Sequence, residues 1–568
     1  MISSEPLSAL EISRRVKPRP VAEIAEQMGL SPQLLEPYGS HVAKIKLEAI
    51  EELSDRPRAK YVLVTAITPT PLGEGKTATS IGLAQALGRV GKRSVVALRQ
   101  GSMGPTFGIK GGGAGGGQSQ LVPFEAVNLH LTGDLHAVTA AHNLLAAMVD
   151  NHLYHGNELG IDPYRVNWRR VLDVDDRALR SIVVGLGGRL DGVTRQSAFD
   201  ITAASEVMAI LALAGSLHDL RARLGRIVFG YDSQRLPLTA ENLKAAGAMT
   251  VIMREAIKPN LVQTLEGTPA LVHAGPFGNI AHGNSSVVAD QIAIHAGEYL
   301  VTEAGFGADM GAERFFNIKC RTSGLVPDAA VMVATVRGLK AHTGRYRVVA
   351  GRPLPPELMR ENPDDVYKGG SNLLRQIENI QLHGVNVVVA INAFDEDFES
   401  EHEAIRVLAG EMGVRAAVCR TFSEGGAGGV ELAEAVIDAC RVPSAFTPLY
   451  PDEMPLKLKI EAIATRVYGA AAVQYSPAAV EELDRLQAGA CAQLPVCIAK
   501  THLSISSDPT LKGVPTGWTL PIREARVSAG AGFVYCLAGD IATMPGLSSH
   551  PAAEQIDIDA AGNVVGLR

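Results

Sequence analysis

The chain is poor in the features that mark several protein classes. Aromatic residues make up only 5% of its 568 residues, so a core of this size has to be aliphatic. Its six cysteines (Cys320, Cys419, Cys440, Cys491, Cys497 and Cys536) are irregularly spaced and form no C-x-x-C pair. That argues against a disulfide framework or a cysteine zinc site and predicts buried free thiols in a reducing compartment. No run approaches the roughly 20 apolar residues of a membrane span, and the N-terminal segment lacks a signal peptide's apolar stretch. The expected location is the cytoplasm, with no membrane partner. An excess of positive charge is also missing. The formal net charge is −7, against a nucleic-acid partner. An anionic ligand must therefore be drawn in locally, by placed Lys and Arg side chains and by helix N-termini. No repeat of fixed period is present.

What the chain has in quantity is glycine, 58 residues of it, within a globular balance of 46% hydrophobic and 20% charged residues. The length exceeds the roughly 250–300 residues at which a single core stops growing. The expected architecture is α/β: a large, doubly wound, P-loop-containing domain over residues 1–370 and two smaller α/β or α+β domains over 371–455 and 456–568. Residues 1–55 read as polar and helical, with a cap at Ser31 before Pro32. Buried strands are predicted at Tyr61–Ile67, Ser94–Leu98, Ile182–Gly185, Arg226–Phe229, Ala270–His273, Tyr299–Thr302, Ala330–Ala334, Val385–Ile391 and Arg415–Cys419. Helical stretches such as Thr202–Ala214 and Ser285–Ala296 alternate with them, and the chain ends in a predicted hairpin.

The sharpest local signal is Thr70-Pro71-Leu72-Gly73-Glu74-Gly75-Lys76-Thr77. It follows a predicted strand and opens a predicted helix from Thr77 to Val90, on which Leu83, Leu87 and Val90 share a face. That is the context a phosphate loop requires. Successive backbone N–H groups would cradle phosphates, Lys76 would reach the β- and γ-phosphates, and the Thr77 hydroxyl would bind the Mg²⁺ that accompanies ATP. Thr70 stands where the usual pattern has its first glycine.

Arg99 follows the next strand, at the edge where ligands bind in such sheets, and its planar fork suits a phosphoryl or acyl-phosphate group. Gly101 to Gly117 follow, with apolar Met103, Phe107 and Ile109 that a flexible linker would avoid, so this stretch is expected to fold over a ligand. Val127–Asp134 reads as a strand ending in an acid. Asp134 would serve Mg²⁺ through water, take a proton, or cap the next helix. His130, His136 and His142 recur every six residues, a spacing that does not stack them on one helical face and gives no metal site.

Beyond these local signals the chain resembles the formate–tetrahydrofolate ligase family over nearly its whole length. The residues that carry the resemblance are the Thr70–Thr77 run and the G-P-x-F-G-I-K-G-G run from Gly104, then Leu129–Asp134, Phe199–Ala209, and the N-L-V-Q-T-L-E run from Asn260. Gly275–Gly283, Val301–Glu313, Pro495–Thr501 and Met544–Leu547 complete the set. The resemblance implies a homotetramer that converts ATP, formate and tetrahydrofolate to ADP, phosphate and 10-formyltetrahydrofolate through formyl phosphate. Mg²⁺ would accompany ATP, and a monovalent cation, K⁺ or NH₄⁺, would assist. Lys76 then resembles the ATP-phosphate lysine and Arg99 the residue that grips formyl phosphate. Gln100, Phe306, Phe394 and Phe422 fall on the folate side.

Two positions depart from the family's pattern. The strand-end arginine is usually followed by Glu-Pro-Ser and here by Gln100-Gly101-Ser102, which removes an acid beside Arg99. A wall of the pterin pocket is usually Trp and here is Phe422, which stacks with less area and has no N–H donor. These departures keep open a relative that activates formate or another small acid for a different acceptor; separately, the phosphate loop by itself would also suit a regulatory ATPase.

Overall fold

The structure is a computed structural model that describes residues 7–108, 112–349 and 352–567. Among these residues the largest sheet has twelve strands. In chain order they are β1 Leu35–Pro37, β2 Ala43–Ile45, β3 Lys60–Ala66, β4 Ser94–Leu98, β5 Gly115–Gly116, β6 Ser119–Val122, β7 Asn260–Thr264, β8 Pro269–Val272, β9 Tyr299–Glu303, β10 Ala329–Ala334, β11 Asn386–Asn392 and β12 Arg415–Cys419. The spatial order is β1-β2-β7-β8-β4-β9-β3-β10-β11-β12, with β6 pairing β7 and β5 pairing β6. Every pairing from β8 to β12 along this path is parallel. The pairings from β1 to β8, and those of β5 and β6, are antiparallel.

Burial on both faces explains why the parallel strands read as unbroken apolar runs. Tyr61 and Leu63 of β3 join one hydrophobic cluster, while Val62, Val64 and Ala66 join another on the opposite face. On the second face α1 (Lys76–Arg89) buries Ile81, Leu83 and Leu87. On the first lie α2 (Asp134–Tyr154), α3 (Glu206–Leu213), α4 (Val287–Ala293) and α5 (Ser371–Gln381). Helix α6 (Val430–Arg441) packs beside α1 on the second face. Strands β11 and β12, from the last third of the chain, thus continue the sheet begun by β3 and β4. Residues from Leu449 onward build a separate core of Tyr450, Ile460, Tyr468, Leu483, Ile498 and Val534. It includes a parallel pair, Ala472–Tyr475 with Thr519–Ile522, and a three-stranded sheet.

Several expectations need correction. Ile182–Val184 and Val228–Tyr231 are strands, but each sits in its own two-stranded antiparallel hairpin outside the large sheet. A short apolar run looks the same in either setting; Val183, half-exposed, shows the difference. Val127–Leu131 is not a strand. Pro123 precedes a helical turn at Phe124–Asn128, and the positive φ of Leu131 and Gly133 breaks any extended run. Residues 35–45, read as helical, supply β1 and β2, while Ser31 precedes only a 3₁₀ turn at Pro32–Leu34. The Thr202–Ala214 helix is interrupted at extended Ser205, whose hydroxyl accepts from Val207 N and starts α3. The predicted terminal hairpin is present, pairing Asp557–Ile558 with Val564–Val565.

Candidate functional site

The C-terminal edge of the parallel strands gathers the candidate residues, as expected where ligands bind open α/β sheets. From β3 the chain crosses this edge as Ile67–Gly75 and enters α1 at Lys76. Glu74 fastens the crossing. One of its carboxylate oxygens accepts from the backbone N–H and the hydroxyl of Thr70, both at 3.0 Å. The other accepts from the Thr335 hydroxyl at 2.6 Å. Thr335 lies just past β10 and also accepts from Gly338 N, capping the helix Val336–His342. Asn392, at the end of β11, donates to the Glu74 carbonyl at 3.1 Å. Glu74 is therefore buried and turned into the protein, while Pro71, Gly73 and Gly75 face solvent. Gly75 has to be glycine: its φ is +76°, and a Cβ there would lie 2.4 Å from Asn392 Nδ2. A cavity of about 380 Å³ adjoins Pro69–Pro71 and is also lined by His342, Tyr346, Leu503 and Lys512.

Two candidates from different strands meet at one carboxylate. Glu303 closes β9, which lies between β3 and β4 in the sheet. The Thr77 hydroxyl donates to Glu303 Oε2 at 2.8 Å, and Arg99 Nε lies 3.8 Å from Glu303 Oε1. Glu303 is buried, while the Arg99 side chain is partly exposed. Sequence reasoning passed over Glu303. The signal was present in the acid at the end of a predicted strand within Val301–Glu313.

Next to Arg99 the floor of this edge is polar. Gln100 is buried, its backbone N–H donates to the Ala274 carbonyl at 2.7 Å, and neither atom of its side-chain amide has a partner within the protein. Both ring nitrogens of buried His282 are likewise unpartnered. Burial, together with the Lys319, Arg99 and Arg314 cations, holds that imidazole well below the usual histidine range, so it is neutral. Asn284 donates to the Glu303 carbonyl at 3.4 Å.

The aromatic candidates follow strands at the same edge, Phe306 and Phe394 on loops and Phe422 in the short helix Thr421–Glu424. Phe306 follows β9 with φ +61°, and its ring stacks on His502 with centroids 4.6 Å apart. Phe394 follows β11 and carries the Arg337 guanidinium 3.3 Å above its ring. Phe422 follows β12, the strand beside β11; there Ala393 N donates to the Cys419 carbonyl at 3.0 Å. Phe422 is half-exposed and lies against the glycine stretch. Its carbonyl accepts from Gln118 N at 2.7 Å, and a Cβ on Gly117 would approach that carbonyl to 2.1 Å. The stretch is thus packed and not a linker; Ile109, Lys110 and Gly111 lie outside the described residues.

Asp134 is placed differently. It is the first residue of α2, after Gly133, and is buried. Its two carboxylate oxygens are held by Lys44 Nζ at 2.8 Å and Asn260 Nδ2 at 2.7 Å. Of the three histidines read earlier, His142 is buried, bonded to Ser205 and the Arg169 carbonyl, and stacked on Trp168. Among the described residues no three His, Cys, Asp or Glu side chains gather as a metal site.

Comparison with known proteins covers the same ground at full length. The profile of the family described as Formate–tetrahydrofolate ligase matches residues 7–568. A formate–tetrahydrofolate ligase of Saccharopolyspora erythraea is 69% identical over 560 residues, covering 99% of each chain. Those of a Roseiflexus species and of Cutibacterium acnes are 62% and 57% identical, each over 99% of this chain and 100% of the relative. A match of this length and identity leaves no large segment unaccounted for, and the chain belongs to the formate–tetrahydrofolate ligase family.

Proposed function

We propose that the protein ligates formate to tetrahydrofolate at the expense of ATP, giving 10-formyltetrahydrofolate, ADP and phosphate. The observation that carries this is the full-length family match. Formate's carboxylate is a poor electrophile, so one of its oxygens first attacks the γ-phosphorus and displaces ADP. The tetrahydrofolate amine then attacks the formyl carbon of formyl phosphate and displaces phosphate. Both steps need positioning and charge neutralisation more than a protein nucleophile.

The residues take roles consistent with that demand. In this reading Thr70–Thr77 is the phosphate loop: its backbone N–H groups and Lys76 hold the nucleotide's phosphates at the start of α1. Arg99 grips the transferred phosphoryl group from the end of β4. The Thr77 hydroxyl and Glu303 carboxylate, 2.8 Å apart, are an all-oxygen pair that fits a hard divalent cation. These two side chains would hold the Mg²⁺ that accompanies ATP, which would neutralise phosphate charge there. Phe394 and Phe422 wall the pterin in this reading, with Gln100 and Phe306 also on the folate side. Asp134, engaged by Lys44 and Asn260, holds α2 against β2 and β7 and serves as support. Dependence on K⁺ or NH₄⁺, assembly as a homotetramer, residence in the cytoplasm and the three-domain division at about residues 370 and 455, the second part sharing the large sheet through β11 and β12, belong to the same proposal. Among the described residues no helix is long and apolar enough to cross a membrane.

The test is an assay of purified protein with ATP, Mg²⁺, formate and tetrahydrofolate, with the folate product identified by mass spectrometry. Product is expected only when all four are present. Absence of product at saturating substrates overturns the proposal. Acyl phosphate trapped by hydroxylamine without formyl transfer would instead assign the activation half alone.

A further inference from the structure

Residues from Leu449 onward build their own core, and no role in the reaction has been given to them. One buried ammonium ties that core to the candidate site. Lys500 follows the strand Val496–Ala499 and is wholly buried. A lysine ammonium has three protons to donate, and each finds an acceptor. Nζ donates to Asp309 Oδ2 at 2.8 Å, to the Ser504 carbonyl at 2.6 Å and to the Thr501 carbonyl at 3.2 Å. The centre of the Tyr468 ring lies 4.9 Å from Nζ. The two carbonyls curl the segment 501–504 around the ammonium, and His502 lies within that curl. Asp309 stands shortly after Phe306 in the chain. Both members of the Phe306–His502 stack are thus fastened to the same charge. Phe306 needs such fastening. Its φ of +61° lies in a region that residues other than glycine keep only when their surroundings hold them there. Its ring also fills the place of a Cβ at Gly278, which would lie 2.7 Å away. The second oxygen of Asp309, Oδ1, accepts from Gln376 Nε2 of α5 at 2.8 Å, and Gln376 Oε1 accepts from Asp309 N at 2.8 Å.

We infer that Lys500 is a positioning residue for folate use: it seats the Phe306–His502 stack, and through that stack the C-terminal core completes the folate side of the site. The inference rests on the reading that puts Phe306 on that side. An ion pair alone would hold Asp309. The two carbonyl bonds do more, because they set where the 501–504 segment lies relative to Asp309. Replacing a buried ion pair by apolar groups of similar size is often neutral for stability, so stability alone does not explain a lysine here. The pair can therefore be removed with little loss of packing. In Lys500→Met combined with Asp309→Asn, the amide oxygen still accepts from Gln376, so the contact with α5 survives. What goes is the common donor that joins the two segments carrying the rings. The stack then loses its fixed seat, and a folate meets a wall that is no longer set.

The experiment compares the full-length wild type with Lys500→Met and with the double variant Lys500→Met/Asp309→Asn. It reads melting temperature, the rate at which hydroxylamine traps acyl phosphate from formate and MgATP, and kcat/KM for tetrahydrofolate. Lys500→Met leaves Asp309 buried without its cation and should melt lowest, and the double variant should recover most of that loss. Well below its melting point the double variant should still show kcat/KM for tetrahydrofolate lowered about 10- to 100-fold, the scale on which small misplacements act. Acyl phosphate should form at the wild-type rate. A merely structural role predicts that activity returns with the melting temperature, and that result overturns the inference. So does an equal fall in acyl phosphate formation, which would make Lys500 a support for the whole sheet edge. If the wild type forms acyl phosphate but no formylated folate, the folate reading itself fails and takes this inference with it. Should the double variant not fold, His502→Ala carries the test, because that side chain is partly exposed and the Lys500 bonds do not involve it. Loss of one partner of an aromatic stack should raise KM for tetrahydrofolate severalfold, with melting temperature and KM for ATP unchanged. An unchanged KM for tetrahydrofolate overturns the inference as well.

Discussion

The two halves of the candidate site are built to different standards. On the side proposed for the nucleotide, at the ends of β3, β9 and β10, polar side chains are tied to buried carboxylates: Thr70 and Thr335 to Glu74, Thr77 to Glu303. On the side proposed for the folate, at the ends of β11 and β12, Phe394 rests on a loop and Phe422 on a single helical turn. Phe394 is covered by Arg337, and Phe422 is half-exposed against glycines. The difference matches what each half would hold. A migrating phosphoryl group needs charges fixed before the reaction, because reorganising them during it would raise the barrier. A flat pterin needs an accessible face and an apolar wall, which loosely seated aromatics provide. Rigidity should therefore be costly to lose on one side and adjustable on the other.

The largest effect that would break this contrast is expected from Lys76→Ala. Removing a positioned charge that acts on the transferred group costs about 10²–10³ in kcat. Folate binding, followed by tetrahydrofolate titration without ATP, should be unaffected. A parallel loss of folate affinity would mean that the two halves are not separate. Glu74→Ala comes next. It strips a carboxylate from two threonine hydroxyls and a backbone N–H, and each hydrogen bond to a charged group is worth about 1.5–3 kcal/mol. A lower melting temperature and a KM for ATP raised about tenfold or more are expected, with KM for folate unchanged. Arg337→Ala reverses the pattern. The guanidinium lies 3.3 Å over Phe394, and cation–π contacts of this kind are worth about 0.5–2 kcal/mol. KM for folate should rise severalfold while KM for ATP holds.

The same division governs how much could be read before the structure was known. The strand from Lys60, the crossing to Lys76 and the strand end at Arg99 are local patterns: an apolar β-rich run, a glycine-containing turn, a helical period. The partnership of Thr77 with Glu303 spans 226 residues and exists only because β9 inserts between β3 and β4. No local preference sets that order. The Lys44–Asp134 pair is hidden for the same reason: β2 brings Lys44 to an acid that reads, from its neighbours alone, as a ligand for metal or proton. The hairpins at Ile182 and Val228 mislead in the opposite direction, since two-stranded and many-stranded partners select the same β-branched residues. The aromatic residues at 306, 394 and 422 gain their meaning from family resemblance, because a lone Phe after a strand carries no chemical pattern of its own.

The smallest expected effect tests the adjustable half most directly. Phe422 has room for a larger ring, being half-exposed on Gly116 and Gly117. Phe422→Trp adds ring area and an N–H donor without a buried neighbour to displace. Aromatic pairs contribute about 0.5–1.5 kcal/mol beyond area burial, so KM for tetrahydrofolate should fall about two- to tenfold. Because the change lies on the short helix Thr421–Glu424 after β12 and not in the Thr70–Thr77 crossing, KM for ATP and the rate of acyl phosphate formation should not move. If folate affinity stays constant, Phe422 does not face the pterin, and the open half of the site must be sought nearer Phe306 and Phe394. If ATP parameters shift as well, the glycine stretch that touches both Phe422 and the sheet edge couples the halves, and the contrast between a fixed and an adjustable side gives way to a single cooperative site.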